Sequence, residues 1–349
     1  MDNYLLNSNK TAVIVLNWNK PEITLDCIKS LNTMEGDYDI FVIDNGSDEA
    51  KRDKLVDEMK KQNAVILKED ELAHFEINSY KAVNIGNNNS DNKLTKSKLN
   101  LLILLNKNYG YGKGNNFGLR LACKLGYKYS LISNNDIKII DVDVLTELIK
   151  GMETDEKIAW ASPKIINIEG YQEGLLPEFD FFNFSFLSGG IFYPFYILFL
   201  KKREKIKSTK LLDKYDKGEI VPKWFMGSFV FLKNEAVERI GFFDENIFLY
   251  AEELILSEKL KIKGFVLKYI PNVKILHEHN YTAEKINFKR EYQGIKSLLY
   301  YYKVYKNYNS FIILNAAKIS RLFYIVIYKP VIQKTKTMLK RLNINYKGA

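Results

Sequence analysis

The chain has 349 residues, 46% hydrophobic and 13% aromatic, enough apolar content to bury a large core and more length than one average domain needs. Only two cysteines occur, Cys27 and Cys123, each inside an apolar periodic stretch, which excludes a disulfide framework or a cysteine metal site and fits a reducing cytoplasm. The net charge of +10 sits at one end, where from Ile286 onward thirteen Lys and Arg face a single acid, Glu291; a near-neutral body with a basic, Tyr-rich tail points to an anionic lipid surface and away from nucleic acid.

The N-terminus, Met1-Asp2-Asn3-Tyr4, lacks the basic-then-apolar order of a secretion signal. Thr11 to Leu16 reads as a buried strand, and Pro21-Glu22 opens a helix running to about Asn32, with proline at an early helical position. Asp39 to Ile43 is a second strand, followed by Asp44-Asn45-Gly46-Ser47-Asp48 and a charged helix over Glu49 to Gln62. The polar stretch 68–99, centred on Asn87 to Asn92, reads as a surface insertion. Asn100 to Leu105 is a third strand, Asn115 to Leu125 a helix closed by Gly126, and Tyr129 to Ile132 a fourth strand. Short apolar runs alternating with helices predict an α/β fold around a mostly parallel sheet.

The second half changes character. Residues 179–203 hold an apolar, aromatic segment ending in Lys201-Lys202-Arg203; Gly189-Gly190 and Pro194 interrupt it, so an acceptor-side lid or membrane-dipping segment is expected rather than a spanning helix. Trp224 to Phe231 reads as a strand bent at Gly227. Residues 284–306 and 309–328 read as amphipathic helices of a basic C-terminal region, 284–349, appended to a catalytic domain, 1–283. In the second helix Asn315, Lys318 and Arg321 form a polar stripe on a broad apolar surface, a pattern that suits a membrane interface and also a helix packed on the body with its basic stripe in water.

In open α/β sheets, ligands sit beyond the carboxyl ends of the strands. Here those ends carry Asn17-Trp18-Asn19-Lys20, Asp44-Asn45-Gly46-Ser47, Asn106-Lys107-Asn108-Tyr109-Gly110 and Ser133-Asn134-Asn135-Asp136. The first strand does not lead into a glycine-rich turn, which disfavours a dinucleotide enzyme, and Gly110 to Asn116 matches no phosphate loop. Its glycines nonetheless permit close backbone approach, to a ligand or within a tight turn. Asp136, just past a buried strand, can ligate Mg2+ or Mn2+ or cap a helix at Ile137. Glu252 and Glu253 fall at a predicted helix start, where acids are common dipole partners and where a general base could also sit. His277 and His279 would point to one face of a strand, one as a ligand and one as a bystander.

Together, Val13 to Asn19, Val42 to Ser47, Asn108 to Asn116, Asn134-Asn135-Asp136, Gly241-Phe242-Phe243-Asp244-Glu245 and Tyr250-Ala251-Glu252-Glu253 resemble family 2 glycosyltransferases, especially their bacterial rhamnosyltransferase-like branch, over residues 11 to 305. The resemblance implies a GT-A fold, inverting transfer from a nucleotide-sugar donor to a saccharide acceptor, here lipid-linked, and a divalent metal, Mg2+ or Mn2+. It implies that Asn17 and Asp44 meet the nucleoside with Asn45 nearby, that Asn108, Gly114 and Asn115 line the donor pocket, that Asp136, with Asn134 where the family has its first acid, binds metal, and that His277 is a further metal or diphosphate contact. Glu253 stands where the family has a catalytic Asp, with Glu252 beside it. The charged stripe and apolar surface of the C-terminal helices lead to the expectation of peripheral attachment at the cytoplasmic face of the cell membrane, where a lipid-linked saccharide acceptor of surface polysaccharide synthesis would be. A non-catalytic sugar-nucleotide or membrane scaffold that kept the fold is the alternative, and a nucleotidylyltransferase is disfavoured because Asn17 to Lys20 is neither glycine-rich nor basic.

Overall fold

The computed structural model describes residues 10–75, 99–173, 181–218, 220–278 and 287–341. His279, the centre of the 68–99 insertion and the first residues of the 179–203 segment lie outside them. Strands β1 (Thr11–Asn17), β2 (Tyr38–Asp44), β3 (Val65–Lys68), β4 (Asn100–Leu104) and β5 (Tyr129–Asn134) are parallel neighbours in the order β3-β4-β2-β1-β5. The sheet continues through β6 (Ile137–Ile139), β7 (Ile158–Asn167), β8 (Gln172–Glu173), β9 (Phe229–Lys233) and β10 (Val266–His277). Antiparallel β9 bridges β5 to β7, β10 runs parallel to β7, and β6 and β8 pair antiparallel with β10 and β7.

Alternation along β1 shows why the sheet is covered on both faces. Ala12 and Ile14 pack with helix residues Leu119, Leu121, Val237 and Leu256 on one side, whereas Val13 and Val15 meet Ile28, Leu31, Leu55 and Leu148 on the other; every one of these strand residues is 0% exposed. The covering helices are α1 (Pro21–Leu31), α2 (Glu49–Lys61), α3 (Tyr111–Lys124), α4 (Val144–Met152), α6 (Asn234–Ile240) and α7 (Glu252–Ile262), with α5 (Lys201–Asp216) preceding β9.

Three expectations change. Val65–Lys68 is an edge strand parallel to β4, although its four residues are too short to stand out from the polar stretch behind them; next to it Glu69 accepts hydrogen bonds from the Asn106 N–H (2.8 Å) and the Tyr109 hydroxyl (2.7 Å). Helix α3 opens at Tyr111, four residues before the expected Asn115, so the glycine-rich segment is its first turn. The glycines serve helix–sheet closeness: a Cβ at Gly118 would lie 2.8 Å from Ile14 Cγ2, and one at Gly114 2.9 Å from Leu16 Cδ1. Trp224 to Ser228 is a loop, and the strand begins only after Gly227.

The C-terminal helices α8 (Phe288–Tyr305), α9 (Phe311–Phe323) and α10 (Lys329–Arg341), the last two joined by a wide turn over Tyr324–Tyr328, pack on the body. Leu298, Tyr301, Tyr302 and Ala317 share a buried cluster with Leu254 and Ile255 of α7 and with Phe181. Asp244 anchors them, accepting from the hydroxyls of Tyr300 (2.9 Å) and Tyr305 (2.6 Å).

Candidate active site at the carboxyl rim of the sheet

The four polar loops converge on one rim, but several of their residues face inward. Asn17 and Asp44 are fully buried, and Asn45 is 2% exposed. Asn17 Nδ2 donates to Asp44 Oδ1 (2.8 Å), which also accepts from the Ser47 hydroxyl (2.5 Å), while Asp44 Oδ2 accepts from Arg52 Nε (3.0 Å). The chain of bonds runs on from Asn17 Oδ1 to the Thr24 hydroxyl (2.8 Å), which accepts from Asn135 Nδ2 (3.0 Å). Asn45 staples the neighbouring loop, donating to Asn108 Oδ1 (3.1 Å) and the Gly110 carbonyl (3.0 Å) and accepting from the Tyr109 N–H (3.0 Å). Loops after parallel strands leave backbone groups without ladder partners, and short Asx side chains satisfy them.

The resemblance assigns Asn17, Asp44, Asn45, Gly114 and Asn115 to the donor side. All five are buried, the first three are bonded within the rim, and Gly114 faces Leu16 and Asn45. Asn115 differs: its Nδ2 donates to the Tyr111 carbonyl (3.0 Å), yet its Oδ1 is buried without a hydrogen-bond partner among the described residues. Asn108 and Asn134 are partly exposed at the rim, and Trp18 of the first loop is 54% exposed.

Beyond β5 the chain turns at Asn135-Asp136 into strand β6, not into a capped helix. The Asp136 carbonyl accepts from the Glu278 N–H (2.8 Å), so the turn is pinned to the end of β10, and there His277 Nε2 lies 3.3 Å from Asp136 Oδ1. The other ring nitrogen, Nδ1, is 3.2 Å from Glu173 Oε2 on β8. His277 is 1% exposed and stands between two carboxylates. With one ring nitrogen toward each carboxylate, the imidazole Nε2 and Asp136 Oδ1 lie side by side as a nitrogen and an oxygen that a divalent cation could take as ligands. An oxygen and a nitrogen donor, the imidazole oriented by a carboxylate, suit Mn2+ or Mg2+ with phosphate and water completing the shell. Among the described residues no cluster of three or more His, Cys, Asp or Glu is arranged to hold a metal. Glu173, on a two-residue strand, had no sequence signal.

Glu252 and Glu253 open α7 as expected. They are presented by two consecutive left-handed residues, Tyr250 (φ 70°) and Ala251 (φ 67°), a conformation that costs about 1–3 kcal/mol for a residue with a Cβ and gathers at functional sites. Glu252 is 5% exposed, and its Oε1 has no hydrogen-bond partner among the described residues. Burial first, then the Glu253 charge, pushes its carboxyl up to about 8. Glu253 is half-buried, and burial raises its carboxyl too, opposed by the backbone N–H groups of Glu253 and Gly227. A Cβ at Gly227 would stand 3.4 Å from Glu253 Oε1.

Tyr111 ties the parts together. Its hydroxyl donates to the Gly227 carbonyl (2.5 Å), its backbone N–H to Phe248 O (3.0 Å), and its phenol is pushed well above the ordinary range by burial, then by the charges of Glu253, Glu252 and Asp136. The acids of α7 and of the β5–β6 turn both act electrostatically on this one phenol. Gly110, at φ 86°, makes this closure possible: a Cβ there would lie 2.2 Å from Phe248 O.

No family model matches the chain. It is 26% identical over 179 residues to rhamnosyltransferase WbbL of Escherichia coli (strain K12), covering 48% of this chain and 61% of that protein. It is 33% identical over 60 residues to an N-acetylglucosaminyl-diphospho-decaprenol L-rhamnosyltransferase of Mycobacterium tuberculosis, covering 17% of this chain and 20% of that one. The chain thus spans less than two thirds of either relative. Among solved structures, GalNAc-T7 with UDP, GalNAc and Mn2+ superposes with a TM-score of 0.53 at 13% identity, covering 95% of this chain and 58% of that one, a likeness of fold. The chain has the GT-A glycosyltransferase fold, and the sequence it carries is similar to those of bacterial rhamnosyltransferases.

Proposed function

We propose that the protein is a family 2, inverting, metal-dependent glycosyltransferase, which moves a sugar from a nucleoside-diphosphate-sugar to a hydroxyl of a lipid-linked saccharide at the inner face of a bacterial cell membrane, in surface polysaccharide synthesis. The observation that supports this reading is a carboxylate–imidazole pair, Asp136 and His277 at 3.3 Å, at the end of the sheet, together with the Glu252–Glu253 pair opening a separate helix. An enzyme of this class needs a cation site for the diphosphate and a separate carboxylate for the acceptor.

In this reading Asp136 and His277 hold Mg2+ or Mn2+, with Glu173 fixing the imidazole, and Asn134 and Asn108 border the donor. When bound, the cation stabilises the negative charge that develops on the departing diphosphate. Glu253 is the base: of the two glutamates it is the one with exposed surface. It takes the proton of the acceptor hydroxyl as that oxygen bonds to C1 of the sugar and the C1–O bond to the diphosphate breaks. Glu252, buried and raised to about 8, stays protonated at neutral pH and so leaves the negative charge of the pair on Glu253. Tyr111 holds the Gly227 loop against Glu253. Asn17, Asp44 and Asn45 act one step back, as the rigid bed of the donor loops.

Glu253→Gln tests the reading. Sugar transfer should fall about 10²- to 10⁴-fold, the usual contribution of a general base, while the thermal shift induced by the cognate nucleotide-sugar with Mn2+ is kept. Glu252→Gln should retain most transfer. Undiminished transfer by Glu253→Gln would remove the base assignment, and a wild-type chain that binds donor but never transfers would favour the non-catalytic scaffold.

A further inference from the structure

The helix running from Phe311 to Thr335 is, among the described residues, the one long and apolar enough to cross a membrane. Its contacts oppose that use. The stripe expected to face water or headgroups is turned into the protein: Arg321 Nη1 donates to Gly189 O (2.7 Å), the guanidinium lies 3.9 Å from the centre of the Phe184 ring, and the Lys318 ammonium sits over Tyr292. On the same side the Ser320 hydroxyl accepts from the Ile191 N–H (2.8 Å), the Tyr328 hydroxyl donates to Ile191 O (3.2 Å), and Lys329 pairs with Glu291. Gly189 and Gly190, read from sequence as interruptions, permit this closure; a Cβ at Gly189 would stand 1.6 Å from Arg321 Nη1.

The apolar side points away from the protein. Phe311 is 80% exposed and Ile312 79%, with Ile319, Val326 and Val331 also exposed at helical spacing. Beside them the segment following Ile191 exposes Phe192, Phe195, Leu198 (75%) and Phe199. The two segments are joined through Tyr193, whose ring lies 5.0 Å from that of Tyr324 and 5.8 Å from that of Tyr328. A helix on a water-soluble body turns its apolar stripe inward. This one is reversed, and the exposed face spans two chain segments, which marks an interaction surface.

Charge decides the occupant. Lys201 and Lys202 end the apolar segment, Lys202 and Lys334 are exposed, and the sequence from Ile286 onward has thirteen basic residues against one acid, of which Lys318, Arg321 and Lys329 are held against the protein. A second copy would bring the same positive tail to the contact, whereas an anionic leaflet complements it. Spanning would carry Arg321, Lys318 and Lys329 into hydrocarbon with the protein that now holds them.

We propose that Phe192–Phe199 and Phe311–Val331 form a two-part seat lying flat in the interfacial layer of an anionic leaflet, with Arg321 clasping the halves together, so that the protein is held on one leaflet and does not cross it. The inference rests on the membrane setting of the proposed function and deepens it: Ala317 of the seat helix and Leu254 and Ile255 of the Glu252–Glu253 helix belong to one buried cluster, so the base stands one packing layer from the lipid.

Flotation of the full-length chain on phosphatidylglycerol-containing and on pure phosphatidylcholine vesicles tests the proposal. The chain should float with the anionic vesicles, be released by high salt together with alkaline carbonate, and lose binding at least about tenfold in Leu198→Asp/Phe199→Asp and in Ile312→Asp/Ile319→Asp. Each variant is checked for a wild-type near-ultraviolet circular dichroism spectrum and a wild-type donor-induced thermal shift. Failure to float, flotation unchanged in either folded double variant, or retention through carbonate would overturn it. So would a lipid-free dimer that the same substitutions dissociate without any vesicle binding, which would assign the face to a second copy. Flotation needs no turnover, so a chain that floats without transferring sugar counts against the catalytic reading alone.

Discussion

The two sides of the rim are built on opposite principles. On the β1–β2–β4 side, Asn17, Asp44, Asn45, Ser47 and Arg52 satisfy one another and the backbone, and of this group only Arg52 reaches the surface appreciably. On the β5–β10–α7 side, a histidine stands between two carboxylates, a buried glutamate oxygen has no partner among the described residues, and two left-handed residues bearing side chains precede the acids. The named groups of the first side are bonded to one another. The second holds like charges and strained backbone, the condition of groups that act on something absent. In the proposed function this difference would separate a bed from a reacting centre, although from sequence both sides are rows of Asx and Glu.

The largest break in that comparison, after loss of the base, comes from the cation pair. Asp136→Ala should abolish the Mn2+-dependent part of donor binding, read by calorimetry with and without metal. Glu173→Gln should weaken Mn2+ binding about 10- to 100-fold, the range for losing the carboxylate that orients a metal-bound imidazole, measured by electron paramagnetic resonance of free Mn2+. Wild-type Mn2+ affinity in Glu173→Gln would make Glu173 a packing residue. On the opposite side, Asp44→Ala should act on stability before anything else. It leaves Asn17, Ser47 and Arg52 without their acceptor, and denaturant unfolding should show a loss of about 1–3 kcal/mol; a stable variant with lost donor binding would return Asp44 to the nucleoside.

How far the sequence carried follows the same division. Regular features were legible: the alternating buried strands β1, β2, β4 and β5, the proline-started α1, the acids opening α7, and the convergence of four loops. What was not legible depended on long-range pairing. Glu173 meets His277 only because β8 folds back on β7 and β10 lies beside it. Val65–Lys68 becomes a strand because β4 offers an open edge, and the glycine-rich turn is consumed by contact with β1 and Phe248. In the C-terminal helix the periodicity was readable but its sense was not, since an apolar stripe and a basic stripe do not say which one the body covers. The buried state of Asn17 and Asp44 was equally hidden, because an Asx that caps a loop and one that grips a ligand are spelled alike.

Glu252 allows the reacting side to be tested through stability. Its carboxyl is raised in the folded chain, to about 8 from an ordinary value of 4.5, so between these values the folded state holds a proton that the unfolded state has released. Stability contributed by the neutral group is therefore fully present below about pH 4.5 and is lost as pH rises toward 8. Glu252→Gln, which cannot ionise, should match wild type near pH 5 and exceed it near pH 8, by on the order of a few kcal/mol at most. A gap that stays constant across this range would mean that the carboxyl titrates normally and that the pair shares no proton.

Ala251→Gly carries the smallest expected effect and separates strain from mere shape. Glycine adopts φ near +70° without the Cβ clash that alanine suffers there, so the folded state should gain up to about 1 kcal/mol, part of it offset by the greater freedom of glycine in the unfolded chain. If the left-handed pair serves only to start the helix, the variant should be slightly more stable and equally active. If the pair holds Glu253 at a fixed distance from the Gly227 loop, the same substitution should raise stability and lower kcat, with KM for the donor unchanged because the donor side of the rim is untouched. Opposite movement of stability and kcat is the signature of strain kept for function, and parallel movement would reduce Tyr250 and Ala251 to an ordinary helix start.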